Sequence, residues 1–301
     1  GVKNMMSALA WEVTIAVLVA VILIDLGLAI AHRNQETSFK EAALWTAFYV
    51  AAAIAFGISL GFWHTEQSRT EFFAGWITEY SLSVDNLFIF ILILGRLKVE
   101  KTKEQLVLLF GIIVALILRA IFIVAGSAII NRFTWVFFLF GAFLLYTAYG
   151  LVKESDHKEW KEGKVIQWLR GRGASTMTIA MVALALTDLV FALDSIPAIF
   201  GLTKDPYIVF TANVFALMGL RQLYFLIGGL MKRLIYLTKG LSLILAFIGV
   251  KLIIEAFHGM DIHYIGSFNI PKIALSFSLS VIVSILAITT IASLAATKGK
   301  N

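Results

Sequence analysis

The sequence contains no cysteine, and only 15% of its 301 residues are charged. Without cysteine there is no disulfide framework and no thiolate metal site, and the redox compartment is left open. Soluble domains carry about 25% charged residues, so the shortage of charge argues against one. No polar segment is long enough for a separate soluble domain. Histidine is scarce as well: His32, His64, His157, His258 and His263 fall in loops or near the ends of apolar runs. That weakens any case for a buried zinc or nickel centre. No set of nucleophile, base and oxyanion donors is recognisable, so the chain does not read as an enzyme.

What is abundant is apolar: 60% of the residues are hydrophobic and the mean hydropathy is +0.90. A helix crossing a bilayer needs about 20 apolar residues. Nine such runs are predicted, at about 8–31, 41–62, 71–95, 105–130, 134–152, 175–201, 208–231, 240–257 and 272–296. The fold class is therefore all-α and polytopic. The first run is too long for the core of a signal peptide, and the opening Gly is what a processed or tagged chain would show. Trp11, Trp63 and Trp135 near run ends read as interfacial anchors.

The net charge of +6 does not point to nucleic acid, because the basic residues sit in short connectors. Counted along the chain, the ten connecting segments hold 1, 2, 1, 4, 1, 6, 1, 3, 1 and 2 Lys or Arg residues. One side of the membrane thus receives 17 and the other 5. The positive-inside rule then predicts an outer N-terminus and a cytoplasmic C-terminus. The longest polar connector, 153–173, is cytoplasmic on this reading.

A few charges lie inside the apolar runs, where each costs about 3 kcal/mol or more near the bilayer centre. The third run carries Thr78-Glu79-Tyr80-Ser81-Leu82-Ser83-Val84-Asp85-Asn86, and the sixth carries Thr187-Asp188-Leu189-Val190-Phe191-Ala192-Leu193-Asp194-Ser195. Both read Thr, acid, four positions, aliphatic, Asp, small polar. The next runs match more weakly, Leu118-Arg119 with Leu220-Arg221 and Gly141 with Gly249. Runs three to five and six to eight therefore read as two three-helix repeats of opposite orientation, an arrangement secondary transporters use around a midplane site. The whole chain, 1–301, is read as a single membrane domain. Residues 1–70 give two peripheral helices, 71–153 repeat one, 175–258 repeat two and 259–301 a final helix.

Glu79, Asp85, Asp188 and Asp194 supply four carboxylates, with neutral oxygens from Ser81, Ser83, Asn86, Thr187 and Ser195 beside them. Oxygen-only donors suit Mg²⁺, Ca²⁺ and Mn²⁺. Six residues on a straight helix rise about 9 Å and turn about 120° from the starting face. The two acids of one motif therefore cannot easily share an ion. Either the helices break, with Gly75 and Pro197 as candidate points, or one acid from each repeat forms the site. Asp85 with Asp194 is the favoured core, extended by Glu79 and Asp188. The competing reading is ion pairing, in which Arg119 and Arg221 neutralise two of the four acids. Asp25 joins the site, carries a proton, or packs against a polar neighbour. Lys251 and Glu255, four apart, read as a local ion pair. His258, Asp261 and His263 read as a solvated loop cluster.

The two motifs resemble the signature motifs of the TerC membrane proteins, the second one extending through Ile196-Pro197-Ala198. Asp205-Pro206, Gly219-Leu220-Arg221 and Leu245-Ala246-Phe247-Ile248-Gly249-Val250-Lys251 follow the same pattern. The resemblance implies a bacterial-type inner-membrane protein of a family named for tellurium resistance and linked to manganese export. It implies Glu79, Asp85, Asn86, Asp188, Asp194 and Ser195 as functional positions. Many relatives carry a glutamate three residues before Asp188, where this chain has Ala185. Either this branch manages with fewer acids or the position is a substitution.

The expected function is a Mn²⁺ exporter working by alternating access, with Mn²⁺ as the transported ion and H⁺ as a natural coupling partner, since metal binding requires deprotonated ligands. Ca²⁺ or another divalent cation is the second reading. A third is a non-transporting membrane factor that aids protein insertion or delivers metal through a membrane-protein partner.

Overall fold

A computed structural model describes residues 7–32, 37–153, 161–227 and 233–298; the side chains of Asp85, Phe88 and Asp194 are not among those described. The helices begin where short polar side chains cap them. Ser7 starts α1 (Ala8–Ala31), and Ser38 starts α2 (Phe39–Trp63) by accepting from the amide of Glu41, the spacing of a capping box. Thr65 caps α3 (Glu66–Arg96), which is followed by α4 (Lys101–Arg132) and α5 (Val136–Lys153). The long polar connector holds a short amphipathic helix, α6 (Lys164–Gly171). Ser175 then caps α7 (Thr176–Phe200). Asp205 caps α8 (Pro206–Leu217), with Pro206 at the first helical position, where its missing N–H costs nothing. The chain continues through α9 (Leu220–Ile227), α10 (Leu237–Gly259), a two-residue hairpin of β1 (Tyr264–Ile265) and β2 (Phe268–Asn269), and α11 (Leu275–Ala296).

Among the described residues nine helical segments are long and apolar enough to cross a membrane, with α8 and α9 forming one of them. Each matches one of the nine apolar runs to within a few residues, apart from the unequal ends of runs three and seven.

The helix break lies elsewhere than Gly75 or Pro197. α3 runs unbroken through Gly75 and α7 runs through Pro197. Pro197 sits in the last turn of α7, where only the end of the hydrogen-bond ladder is disturbed. The interruption falls at Met218–Gly219, between α8 and α9. Gly219 has φ +77° and Tyr49 of α2 presses against it, 2.6 Å from where a Cβ would stand. Only glycine meets both conditions at low cost.

α3 is the hub, packing on α2, α7, α8, α10 and α11. α4 packs on α7, and α5 lies along α10. Where α5 meets α10, Gly141 and Gly249 oppose each other backbone to backbone. Helices in lipid gain stability from such close approach of small residues. One apolar cluster joins the C-terminal halves of α4 and α7 to α5 and α10. A second joins their N-terminal halves to the C-terminal half of α3 and to α9. A belt of buried polar residues lies between the two, at the level of Glu79, Arg119 and Asp188.

Candidate ion site

Arg119 stands midway along α4 and is 1% exposed. Its guanidinium forks onto Asp188 of α7, Nε to Oδ2 at 3.0 Å and Nη2 to Oδ1 at 3.0 Å. Nη1 donates to Glu79 Oε1 of α3, to Asn213 Oδ1 of α8 at 3.0 Å and, at 3.5 Å, to Ser195 Oγ. Ser83 Oγ also donates to Glu79 Oε1, at 3.2 Å. One guanidinium thus ties together α3, α4, α7 and α8. Two carboxylates against one guanidinium leave one formal negative charge in the belt. Glu79 Oε2 is buried and has no hydrogen-bond partner among the described residues. An orphaned carboxylate oxygen is costly in a dry interior and asks for a proton or a cation.

The pairing differs from the expectation that Arg119 and Arg221 would neutralise two of the four motif acids between them. Arg119 takes both Glu79 and Asp188. Arg221, on α9, reaches Asp25 Oδ1 of α1 at 2.6 Å and Gln105 Oε1 of α4 at 2.9 Å. Gln222 donates to the same Asp25 oxygen at 3.0 Å. Asp25 is therefore held by polar neighbours away from the Glu79–Asp188 belt.

α3 and α7 run antiparallel. Gly75 faces Ile199, and Glu79 and Ser195 meet at the same guanidinium nitrogen. The same register brings the backbone of Asp85 level with Leu189, beside Asp188, and that of Asp194 level with Tyr80, beside Glu79. The backbones at the four acid positions thus stand at two levels about 8 Å apart, and the Arg119 guanidinium bridges them by reaching Glu79 from one and Asp188 from the other. The roles of Asp85 and Asp194 as ion ligands rest on side chains that lie outside the described residues. Asn86 and Ser195 are both buried.

Among the described residues no three acidic or histidine side chains converge as a metal cluster. His258, in the last turn of α10, and His263 do meet, with Nδ1 atoms 3.1 Å apart, and His258 Nε2 lies 3.2 Å from Pro271 O. Both are exposed. The expected Lys251–Glu255 pair does not form. Lys251 Nζ donates to Gly201 O at 2.6 Å, capping the end of α7, and Glu255 pairs with Lys204 at 3.4 Å. Trp63 and Trp135 are exposed as anchors would be, whereas Trp11 packs against Tyr207 and Phe210.

Sequence reasoning missed Asn213 and Gln105. Each is a neutral amide inside an apolar run, and that was the signal available: such groups need partners in lipid as charges do.

Nine apolar helical segments among the described residues, around buried carboxylates and arginine, define an integral, multi-pass membrane protein. Residues 64–301 match the family described as the integral membrane protein TerC family, and the chain belongs to it. An uncharacterized membrane protein of Mycobacterium tuberculosis, Rv2723, is 40% identical over 98% of this chain and 81% of its own length. An uncharacterized membrane protein of Myxococcus xanthus, STKORF319, is 36% identical over 94% of this chain and 91% of its own. A protein of Escherichia coli K12 provisionally named as a membrane-bound redox modulator, Alx, is 34% identical over 82% of this chain and 86% of its own. No solved structure matches the chain.

Proposed function

We propose that the chain is a divalent-cation transporter, a Mn²⁺ exporter working by alternating access with protons as counter-ions. The observation that carries this reading is the Glu79–Arg119–Asp188 triad, with its uncompensated formal charge and the unpaired Oε2 of Glu79. Buried ion pairs contribute little net stability, because desolvation cancels most of the Coulomb gain. A triad kept at membrane depth is better explained by work on an ion. Its donors are oxygens, as hard divalent cations require. Carboxylates that release protons when metal binds supply the coupling.

The packing supports two inverted repeats. Gly75 of α3 meets Ala212 of α8, and Gly111 of α4 meets Leu184 of α7. Exchanging the repeats at the motif offset turns position 75 into 184, and the offset of 102 that matches Arg119 with Arg221 turns 111 into 213, next to Ala212. One contact thereby falls beside the other. Gly141 and Gly249, already paired by sequence, face each other. Such a two-fold arrangement lets one half rock on the other around a shared site. The connector charges orient it with the N-terminus outside and the C-terminus in the cytoplasm of a bacterial inner membrane.

Ca²⁺ remains the second substrate reading, since oxygen donors alone do not choose between the ions. The redox name of the E. coli relative does not extend here through thiols, as this sequence has none. Flux into liposomes containing only this protein, measured for Mn²⁺ and Ca²⁺ separately, tests the proposal. Absence of flux for both would leave the non-transporting membrane factor as the better reading.

A further inference from the structure

Arg119 is more than a structural tie. We infer that its guanidinium is a tethered stand-in for the transported cation, occupying the carboxylates of the empty carrier and withdrawing when a divalent ion arrives. The inference rests on the transport reading above and adds the way the empty protein completes its cycle.

Arg119 spends four of its five N–H donors' worth of geometry on the belt. It makes two parallel bonds to Asp188 and one to Glu79, with Asn213 and Ser195 on the same nitrogen as Glu79. These are the oxygens that a hard cation would seek. The fork geometry of arginine fits carboxylates well, and its weak hydration makes burial tolerable. No other cationic side chain is placed among the described residues to do this, because Arg221 is engaged with Asp25 and Gln105. The site is also incomplete as a structural knot. Among the described residues Glu79 keeps one oxygen without a partner, which a triad built only for packing would have no reason to retain. That free oxygen gives an arriving cation a first ligand before the guanidinium lets go.

Two consequences follow. An ion must displace the guanidinium, so apparent affinity is weaker than the bare oxygens would give, in proportion to the fraction of time they are free. In return, the empty site does not cross the membrane as two naked carboxylates. The carrier then returns with the guanidinium on Asp188 and the counter-transported proton on Glu79, and net export becomes possible rather than exchange of one bound ion for another.

The test uses the full chain in liposomes with radioactive Mn²⁺ and in detergent for binding. For Arg119→Gln we expect the dissociation constant for Mn²⁺ to tighten by about tenfold or more. We expect the ratio of net efflux into metal-free buffer to exchange against external Mn²⁺ to fall by a similar factor. Arg119→Lys keeps the charge but loses the fork, protects the fold, and should shift both quantities in the same direction by less. An unchanged ratio, or an affinity that stays or weakens in either variant, overturns the inference. Wild-type protein that neither binds nor moves Mn²⁺ would instead overturn the transport reading, and the inference with it.

Discussion

Gly141 on α5 and Gly249 on α10 touch so closely that a Cβ on Gly141 would stand 2.7 Å from the Gly249 carbonyl oxygen. One on Gly249 would stand 3.0 Å from that of Gly141. Neither neighbour is a flexible side-chain tip, so neither can give way cheaply. Alanine at either position should destabilise the protein by about 1–3 kcal/mol, the usual cost of overpacking. Gly27→Ala, with nothing within 4 Å, should leave stability unchanged or slightly raised. Thermal unfolding in detergent checks both.

The pair between Asp25 and Arg221 ties the peripheral helix α1 to α9. Asp25→Asn leaves the guanidinium buried without its charge partner and should cost about 3 kcal/mol. Adding Arg221→Gln should restore part of the loss, because the double variant holds no unpaired charge. A double-mutant cycle on the unfolding midpoint measures the coupling. Additive effects would show that the pair does not stabilise α1.

Gly219→Ala should also be destabilising, by about 1 kcal/mol for its positive φ and further for the displacement of the Tyr49 ring. Gly95→Ala, also in an apolar stretch but with open space around it, is the matched control.

Asp205 caps α8 outside the membrane-spanning segments. Burial pushes its carboxyl above the usual carboxylate range, against the opposing pull of the Tyr207 amide and of His64, whose ring lies 4.0 Å away. A raised value in the folded protein means that protonation favours the fold. Stability contributed by this group is full below its unfolded value and is lost as pH rises through the folded one. Asp205→Asn keeps the cap oxygen and removes the charge. Melting curves from about pH 4 to 7, across the carboxylate range, should show wild type losing ground to Asp205→Asn as pH rises. A difference that does not vary with pH contradicts this assignment.

Helix positions and acid positions were legible in the sequence because lipid allows so little choice: apolar runs must be helical and buried charges are conspicuous. The partners of those charges were not. Arg119 and Arg221 match in the sequence pattern, each following Leu one helical run after a motif. Asp25, from a helix outside both, captures Arg221, while Arg119 has no such competitor and takes both belt acids. Local pattern cannot show which of two equivalent arginines a distant helix will reach. The same holds for Lys251, which looked pairable with Glu255 four residues on. The end of α7 offered it a carbonyl, and Lys204 took the glutamate. The break at Gly219 escaped notice because the apolar run continues across it. Its cause, a tyrosine from α2, is tertiary.

The central claim is that the buried carboxylates carry a divalent cation across the membrane. It is tested most directly by Mn²⁺ flux in liposomes reconstituted with wild-type protein and with Glu79→Gln, a change that keeps the shape of the side chain and one acceptor oxygen. Wild-type flux well above protein-free liposomes, falling to that background in Glu79→Gln, is the expected result. Wild-type and Glu79→Gln proteins moving Mn²⁺ at the same rate would contradict it.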